Sequence, residues 1–306
     1  MLLAYFHHLT TQPSWLLFLS FIGFLAILKH SIFILKWVFI TFLRPSKDLN
    51  KYGSWALVTG ATDGIGKAFA YQLASKGLNL VLVSRNHNKL KTVLKEIQAD
   101  FPYTHIKIVP LDFSNDLSPG IRLVEEEIKA LDIGILINNV GITYPSARFF
   151  HEVDENVWMN IVKVNVEGTT RITKAVLPGM IERKRGAIVN IGSGAAIVVP
   201  SHPLFTIYAA TKAYIDQLSR SLRVEYKHYG IDVQCQTIML DLQFVKLAMK
   251  HGARPTGLTH YSGALLACSQ RLFLMLGVCL LVFGGGNKSL HEILLSYFVN
   301  GVDEEL

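Results

Sequence analysis

Tyr208 and Lys212 stand four residues apart in the run Tyr-Ala-Ala-Thr-Lys. On a helix they share one face, a turn apart. An ammonium beside a phenol favours the phenolate and lowers a tyrosine pKa from its ordinary value of about 10. A tyrosine tuned this way can trade a proton near neutral pH. Ser193 lies upstream, on a loop of small residues after the apolar run Ala187 to Ile191. A hydroxyl there is suited to hydrogen-bond a carbonyl oxygen. Tyr and Lys at this spacing are also common on amphipathic helices, and a serine is common in turns. The case for chemistry must come from the elements that position these groups.

Those elements alternate. Short apolar runs at Ser54 to Thr59, Asn79 to Ser84, Ile106 to Leu111, Ile133 to Ile137, Ala187 to Ile191 and Ile231 to Gln236 read as buried strands. Between them, helical patterns reach Lys76 and cover Asn88 to Ala99, Leu117 to Leu131, Asn156 to Leu177 and the Tyr208 segment to about Tyr229. Gly77 is a helix stop. Alternation of this kind predicts an α/β fold with a doubly wound parallel sheet of the Rossmann type. Strands that are near-continuous apolar runs fit a sheet covered on both faces.

The first strand runs into Gly60-Ala-Thr-Asp-Gly64-Ile-Gly66 and then a helix. Glycines there let backbone amides approach a pyrophosphate, and the helix N-terminus favours its charge. Glycine also serves any tight turn, but the strand–turn–helix context is the one that marks a dinucleotide site. The second strand ends in Ser84-Arg85-Asn86, with no acid. A carboxylate at that position holds a ribose 2′-hydroxyl, and a cation accommodates a 2′-phosphate. Arg85 opens a helix, where a cation opposes the dipole. Its presence therefore points to NADPH.

The chain has 306 residues, half of them hydrophobic, and a formal net charge of +7. Its mean hydropathy of +0.33 points to membrane contact. The positive charge is spread out, without an aromatic-interleaved basic patch, which argues against nucleic acid. The three cysteines include no Cys-x-x-Cys, and the eleven histidines no His-Glu-x-x-His, so no disulfide framework or metal site is expected. Trp15 to Leu43 is almost wholly apolar, interrupted at Lys29, His30 and Lys36. Met1 to Ser14 carries no Lys or Arg, whereas Arg44, Lys47 and Lys51 follow. That asymmetry predicts one membrane span from Trp15 to about Leu35, with the following domain cytosolic.

Three segments then carry a resemblance. Thr59-Gly-Ala-Thr-Asp-Gly-Ile-Gly66, Asn138-Asn-Val-Gly141 and Tyr208-Ala-Ala-Thr-Lys212 look like the signatures of the short-chain dehydrogenase/reductase family, in the family's order. Lys163-Val-Asn-Val-Glu-Gly-Thr, Leu177-Pro-Gly-Met, Gly192-Ser-Gly-Ala-Ala and Val224-Glu-Tyr-Lys resemble the membrane-bound very-long-chain 3-oxoacyl-CoA reductases of fatty-acid elongation. Those enzymes are related to the 17β-hydroxysteroid dehydrogenases. The resemblance runs from about Leu43 to Gln236. It implies a catalytic group of Asn165, Ser193, Tyr208 and Lys212. Ser193 would bond the carbonyl, Tyr208 give the proton, Lys212 tune it and hold the nicotinamide ribose, and Asn165 hold a water linked to Lys212. For NADPH it implies Gly60, Thr62, Asp63, Gly64, Ile65, Gly66, Arg85, Asp112, Asn139 and Gly141, beside Tyr208 and Lys212. Asp112 falls where the family contacts adenine; an Asp at a strand end is equally a turn or cap residue. The implied partners are an acyl-CoA, the endoplasmic reticulum membrane and the other elongation enzymes.

The expected organisation is an anchor and linker over residues 1–50, a dinucleotide-binding catalytic domain over 51–240 and a divergent segment over 241–306. After Gln236 the chain departs from the family, and Thr237-Ile-Met-Leu-Asp-Leu-Gln lacks the family's proline. The apolar run Leu272 to Phe283 is short for a span. Two further functions stay open: a 17β-hydroxysteroid dehydrogenase, and a catalytically silent membrane scaffold.

Overall fold

The computed structural model describes residues 13–39, 48–197 and 201–237, in two units separated after Lys47. The expectations for residues 241–306 fall outside the described residues.

The first unit contributes one helix, α1 (Ser14–Val38). Its stretch Ser14–Lys36 has a mean hydropathy of 2.1, and none of it is buried against protein. It is long and apolar enough to cross a membrane. It runs a little beyond the Leu35 expected from sequence, because Lys36 does not break the helix.

The second unit contains the sheet. β1 (Trp55–Thr59), β2 (Asn79–Ser84), β3 (Ile106–Pro110), β4 (Ile133–Asn138), β5 (Gly186–Ile191) and β6 (Ile231–Gln236) pair in parallel in the order β3-β2-β1-β4-β5-β6. Leu57 of β1 faces Val81 of β2 on one side and Leu136 of β4 on the other. All three are fully buried. The order reverses between β1 and β4, and the crevice beyond the strand ends there is where such sheets take ligands.

The helices are α2 (Gly64–Ser75), α3 (His87–Asp100), α4 (Leu117–Ile128), α5 (Glu155–Val162), α6 (Thr169–Arg183), α7 (Gly194–Ile197) and α8 (Thr206–Tyr226). Their starts are set by short polar side chains. Asp63, Asn86, Asp116 and Asp154 each accept a hydrogen bond from a first-turn amide of the helix that follows.

The helix expected over Asn156 to Leu177 differs in two ways. It is broken into α5 and α6 by a wide π-helical turn at Lys163–Gly168. It also continues past Pro178 to Arg183. Proline removes one helical hydrogen bond, but the last turn is held elsewhere. Arg183 Nη2 donates to the Ile133 carbonyl at 2.9 Å, and its Nε lies against the Asp132 carboxylate as an ion contact rather than an aligned hydrogen bond.

A buried polar chain ties the sheet to α8. Asn138 Nδ2 donates to Thr173 Oγ1 at 2.9 Å and to Asn190 Oδ1 at 2.8 Å. Asn190 Nδ2 donates to Ser219 Oγ at 2.8 Å, and Ser219 Oγ donates to the Ile215 carbonyl. Met these bonds rigidify, unmet they are costly. They fix the helix that carries Tyr208 and Lys212 against the strand that leads to Ser193.

Candidate active site

The glycine turn follows β1. Gly60 and Gly64 have φ of 65° and 50°, the left-handed region glycine enters freely. A Cβ on Gly66 would lie 2.2 Å from the Gly60 carbonyl oxygen and 2.4 Å from Asn139 Nδ2. Only glycine lets α2 begin this close to the strand. Asn139 clamps the turn from the end of β4, donating from Nδ2 to the Thr59 and Gly60 carbonyls at 3.1 and 3.3 Å. Thr59 Oγ1 accepts from the amides of Asn139 and Val140. Asp63 is spent on capping α2, accepting from the Gly64 amide at 2.8 Å. Ile65 is half-buried in the first turn of α2.

At the end of β2, Ser84 Oγ and Thr62 Oγ1 share a hydrogen bond at 3.0 Å. Arg85 is exposed beside them. Arg85, Asp112 and Gly141 line one cavity of about 180 Å³. Asp112 Oδ1 accepts from the Ser114 amide at 3.0 Å and from Ser114 Oγ at 2.7 Å, and Oδ2 accepts from Asn115 Nδ2. Partial burial pushes the Asp112 carboxyl up, but the Ser114 bonds and the Arg85 charge outweigh it and hold it below its ordinary value. Asp112 thereby closes a turn after β3.

Lys212, Asn165 and Gly141 converge. A Cβ on Gly141 would stand 3.4 Å from Lys212 Nζ and 3.5 Å from Asn165 Oδ1. Lys212 is 6% exposed and donates to the Ile191 carbonyl at 2.7 Å. Burial pushes its ammonium down to about 8. Its Nζ lies 5.9 Å from the centre of the Tyr208 ring, so the four-residue spacing does place both on one helix face. Ser193 lies two residues beyond Ile191, buried. Its Oγ accepts from the Ala195 amide at 3.2 Å and starts α7.

Asn165 sits in the π-helical turn, 1% exposed. Its Oδ1 accepts from the Ile142 amide at 2.8 Å. Its Nδ2 donates to the Ile142 carbonyl at 2.9 Å and to Thr211 Oγ1 at 3.0 Å. The side chain thus joins the loop after β4 to α8, one residue before Lys212. Thr211 is the member of this group that sequence reasoning passed over, although it lies inside the Tyr208–Lys212 run.

An apolar wall flanks Tyr208. Tyr144, Ile161 and Phe205 are buried together, with Val153, Val157 and Tyr208 packed against them. Tyr144 Oη accepts from the Ile207 amide at 3.2 Å. Leu204, just before α8, adopts φ of 67°, and its carbonyl accepts from the Arg148 amide. A leucine held there stores strain, a frequent property of functional segments. Among the described residues no group of three His, Cys, Asp or Glu side chains is placed to hold a metal.

Residues 54–240 match the family model for short chain dehydrogenases. A very-long-chain 3-oxoacyl-CoA reductase-like protein of Arabidopsis thaliana is 60% identical over 227 residues, covering 74% of this chain and 72% of the plant protein. The inactive hydroxysteroid dehydrogenase-like protein 1 of Homo sapiens is 45% identical over 197 residues, 64% of this chain but only 58% of the human one. A short-chain dehydrogenase of Sphingobium yanoikuyae, solved in complex with NADPH, superposes with a TM-score of 0.55 at 31% identity, covering 60% of this chain and 70% of its own. The chain belongs to the short-chain dehydrogenase/reductase family of oxidoreductases.

Proposed function

We propose that this protein reduces long and very-long-chain 3-oxoacyl-CoA to 3-hydroxyacyl-CoA with NADPH, within microsomal fatty-acid elongation. The observation that carries the chemistry is the buried Lys212 facing the Tyr208 ring one turn away. The plant reductase-like relative carries the substrate class.

The residues present fit a dinucleotide. The close packing of Gly66 against Gly60 opens the backbone to a pyrophosphate at the start of α2. Arg85 and the Thr62–Ser84 hydroxyl pair stand at the end of β2, and the first turn of α3 carries no acid, which suits a 2′-phosphate. The bound nicotinamide supplies the hydride. Ser193, whose Oγ already accepts from Ala195, keeps its O–H to donate to the substrate carbonyl. Tyr208 gives its proton to that oxygen as charge develops. Lys212 stabilises the phenolate left behind. Asn165 and Thr211 hold the loop and helix that bring these groups together.

The apolar wall of Tyr144, Ile161 and Phe205 suits a fatty chain. We read α1 as a single span of the endoplasmic reticulum membrane, with Arg44, Lys47 and Lys51 and the catalytic unit on the cytosolic side. Partner enzymes of elongation belong to the same proposal.

The test is NADPH oxidation by membranes carrying the full chain, with a long 3-oxoacyl-CoA. Turnover above that of membranes lacking the chain is expected. The human relative named inactive favours one competing reading, a silent scaffold. NADPH binding without turnover of an acyl-CoA or a steroid would establish that one instead. Cofactor choice has its own check: Arg85→Ala should raise the KM for NADPH about tenfold, the worth of a lost charge-assisted contact, and change that for NADH little.

A further inference from the structure

The helix that carries Tyr208 and Lys212 starts differently from the others. A short polar side chain at the preceding residue caps each of α2, α3, α4 and α5. The corresponding residue of α8 is Phe205, whose ring has no oxygen to offer the first-turn amides. The acceptor comes instead from the loop after β4, 63 residues upstream, where Tyr144 Oη takes the Ile207 amide at 3.2 Å. Tyr144 is 4% exposed, and its ring centre lies 5.6 Å from that of Phe205, so packing holds the hydroxyl in place. The segment it secures follows Leu204, with its left-handed φ of 67°.

A second hold lies one turn along. Asn165 binds the Ile142 amide and carbonyl and donates to Thr211 Oγ1. The loop over residues 142–144 is thus tied to α8 at Ile207 and, through Asn165, at Thr211. Each tie stands one residue before a reacting group, Tyr208 or Lys212. Two ties four residues apart lie on one helix face and fix the rotation of the helix as well as its height. Lys212 has a further bond to the Ile191 carbonyl. Tyr208 lies in the first turn, the part of a helix that frays.

We infer that Tyr144 is a positioning residue for Tyr208: its hydroxyl supplies the cap that Phe205 cannot, and holds the first turn of α8 in the orientation that aims the Tyr208 hydroxyl at the substrate carbonyl. This rests on the reductase reading above. The Tyr144 hydroxyl acts through α8 and not on the substrate.

Tyr144→Phe keeps the ring and its packing and removes the cap alone. On the full chain in detergent, with a long 3-oxoacyl-CoA, the single-turnover rate of NADPH oxidation should fall about tenfold, because a small displacement of a reacting group is costly. The KM for the acyl-CoA and the NADPH affinity, read by nicotinamide fluorescence, should each stay within about twofold of wild type. Hydrogen exchange should accelerate at the start of α8 and stay unchanged over its last turns.

An unchanged single-turnover rate overturns the inference, whether or not exchange accelerates. So does an equal loss of NADPH binding, which would make Tyr144 a structural residue of the whole site. A slowed reaction with unaltered exchange would place the hydroxyl on the substrate and overturn it as well. Wild type that binds NADPH without turnover would sink the reductase reading first, and this inference with it.

Discussion

Tyr208→Phe is expected to lower NADPH-dependent turnover by about a thousandfold, in the range found for removal of a positioned proton donor. NADPH affinity should change by no more than about twofold, because a lost transition-state interaction falls on kcat rather than on ground-state binding. The ring stays, so its packing against the Tyr144–Phe205 wall stays. The hydroxyl alone is removed. Single-turnover absorbance at 340 nm (the nicotinamide band) and a fluorescence titration measure the two quantities on one preparation. Unchanged turnover would remove Tyr208 from the mechanism. Lost binding together with lost turnover would make it a cofactor residue only.

Lys212→Met should abolish turnover and at the same time stabilise the cofactor-free protein. Lys212 is buried, and its pKa falls from 10.5 to about 8. A depression of that size corresponds to about 3 kcal/mol of cost for keeping the charge inside. Methionine fills similar space without charge, but it forfeits the charge-assisted hydrogen bond to the Ile191 carbonyl, worth about 2 kcal/mol. The net gain at pH 7 is about 1 kcal/mol.

The sign with pH follows from proton counts. Below about 8 the lysine is protonated in both folded and unfolded chains, and the full cost is present. Between about 8 and 10.5 the unfolded chain holds the extra proton, so the wild-type fold gains stability as pH rises. Activity moves the other way, because the ammonium that supports the Tyr208 phenolate is lost through the same interval. Urea unfolding and kcat/KM, both followed from pH 7 to 10, check the opposition. A Lys212→Met variant less stable than wild type at pH 7 would contradict it. The site then has the character of a stability–activity trade-off.

Much of this was legible in the sequence, for identifiable reasons. The four inner strands are near-continuous apolar runs, and short runs of Val, Ile and Leu between glycine and polar turns admit few other readings; the edge strands β3 and β6 carry Lys107 and Asp232. Tyr208 and Lys212 needed only the helical repeat. The π-helical turn at Lys163–Gly168 was not legible, because an extra residue in one turn leaves the apolar pattern on either side intact. The helix runs on past Pro178 because Arg183 holds its last turn to Asp132 and Ile133, partners about 50 residues away in sequence. The Asn139 amide holds the glycine turn through carbonyls about 80 residues away, a partnership the sequence does not display.

The strand order has a consequence for how the chain is made. β1 is central, yet it is the first strand synthesised. β2 closes one of its edges soon after, through pairs such as Leu57 with Val81. Its other edge waits for β4, as in Leu57 with Leu136. At ordinary translation rates that gap lasts on the order of ten seconds. For that time a largely apolar strand presents an open edge, the geometry that recruits other strands. A nascent chain of this protein therefore depends on shielding until β4 emerges, and a ribosome that stalls between β2 and β4 releases a product with an aggregation-prone centre.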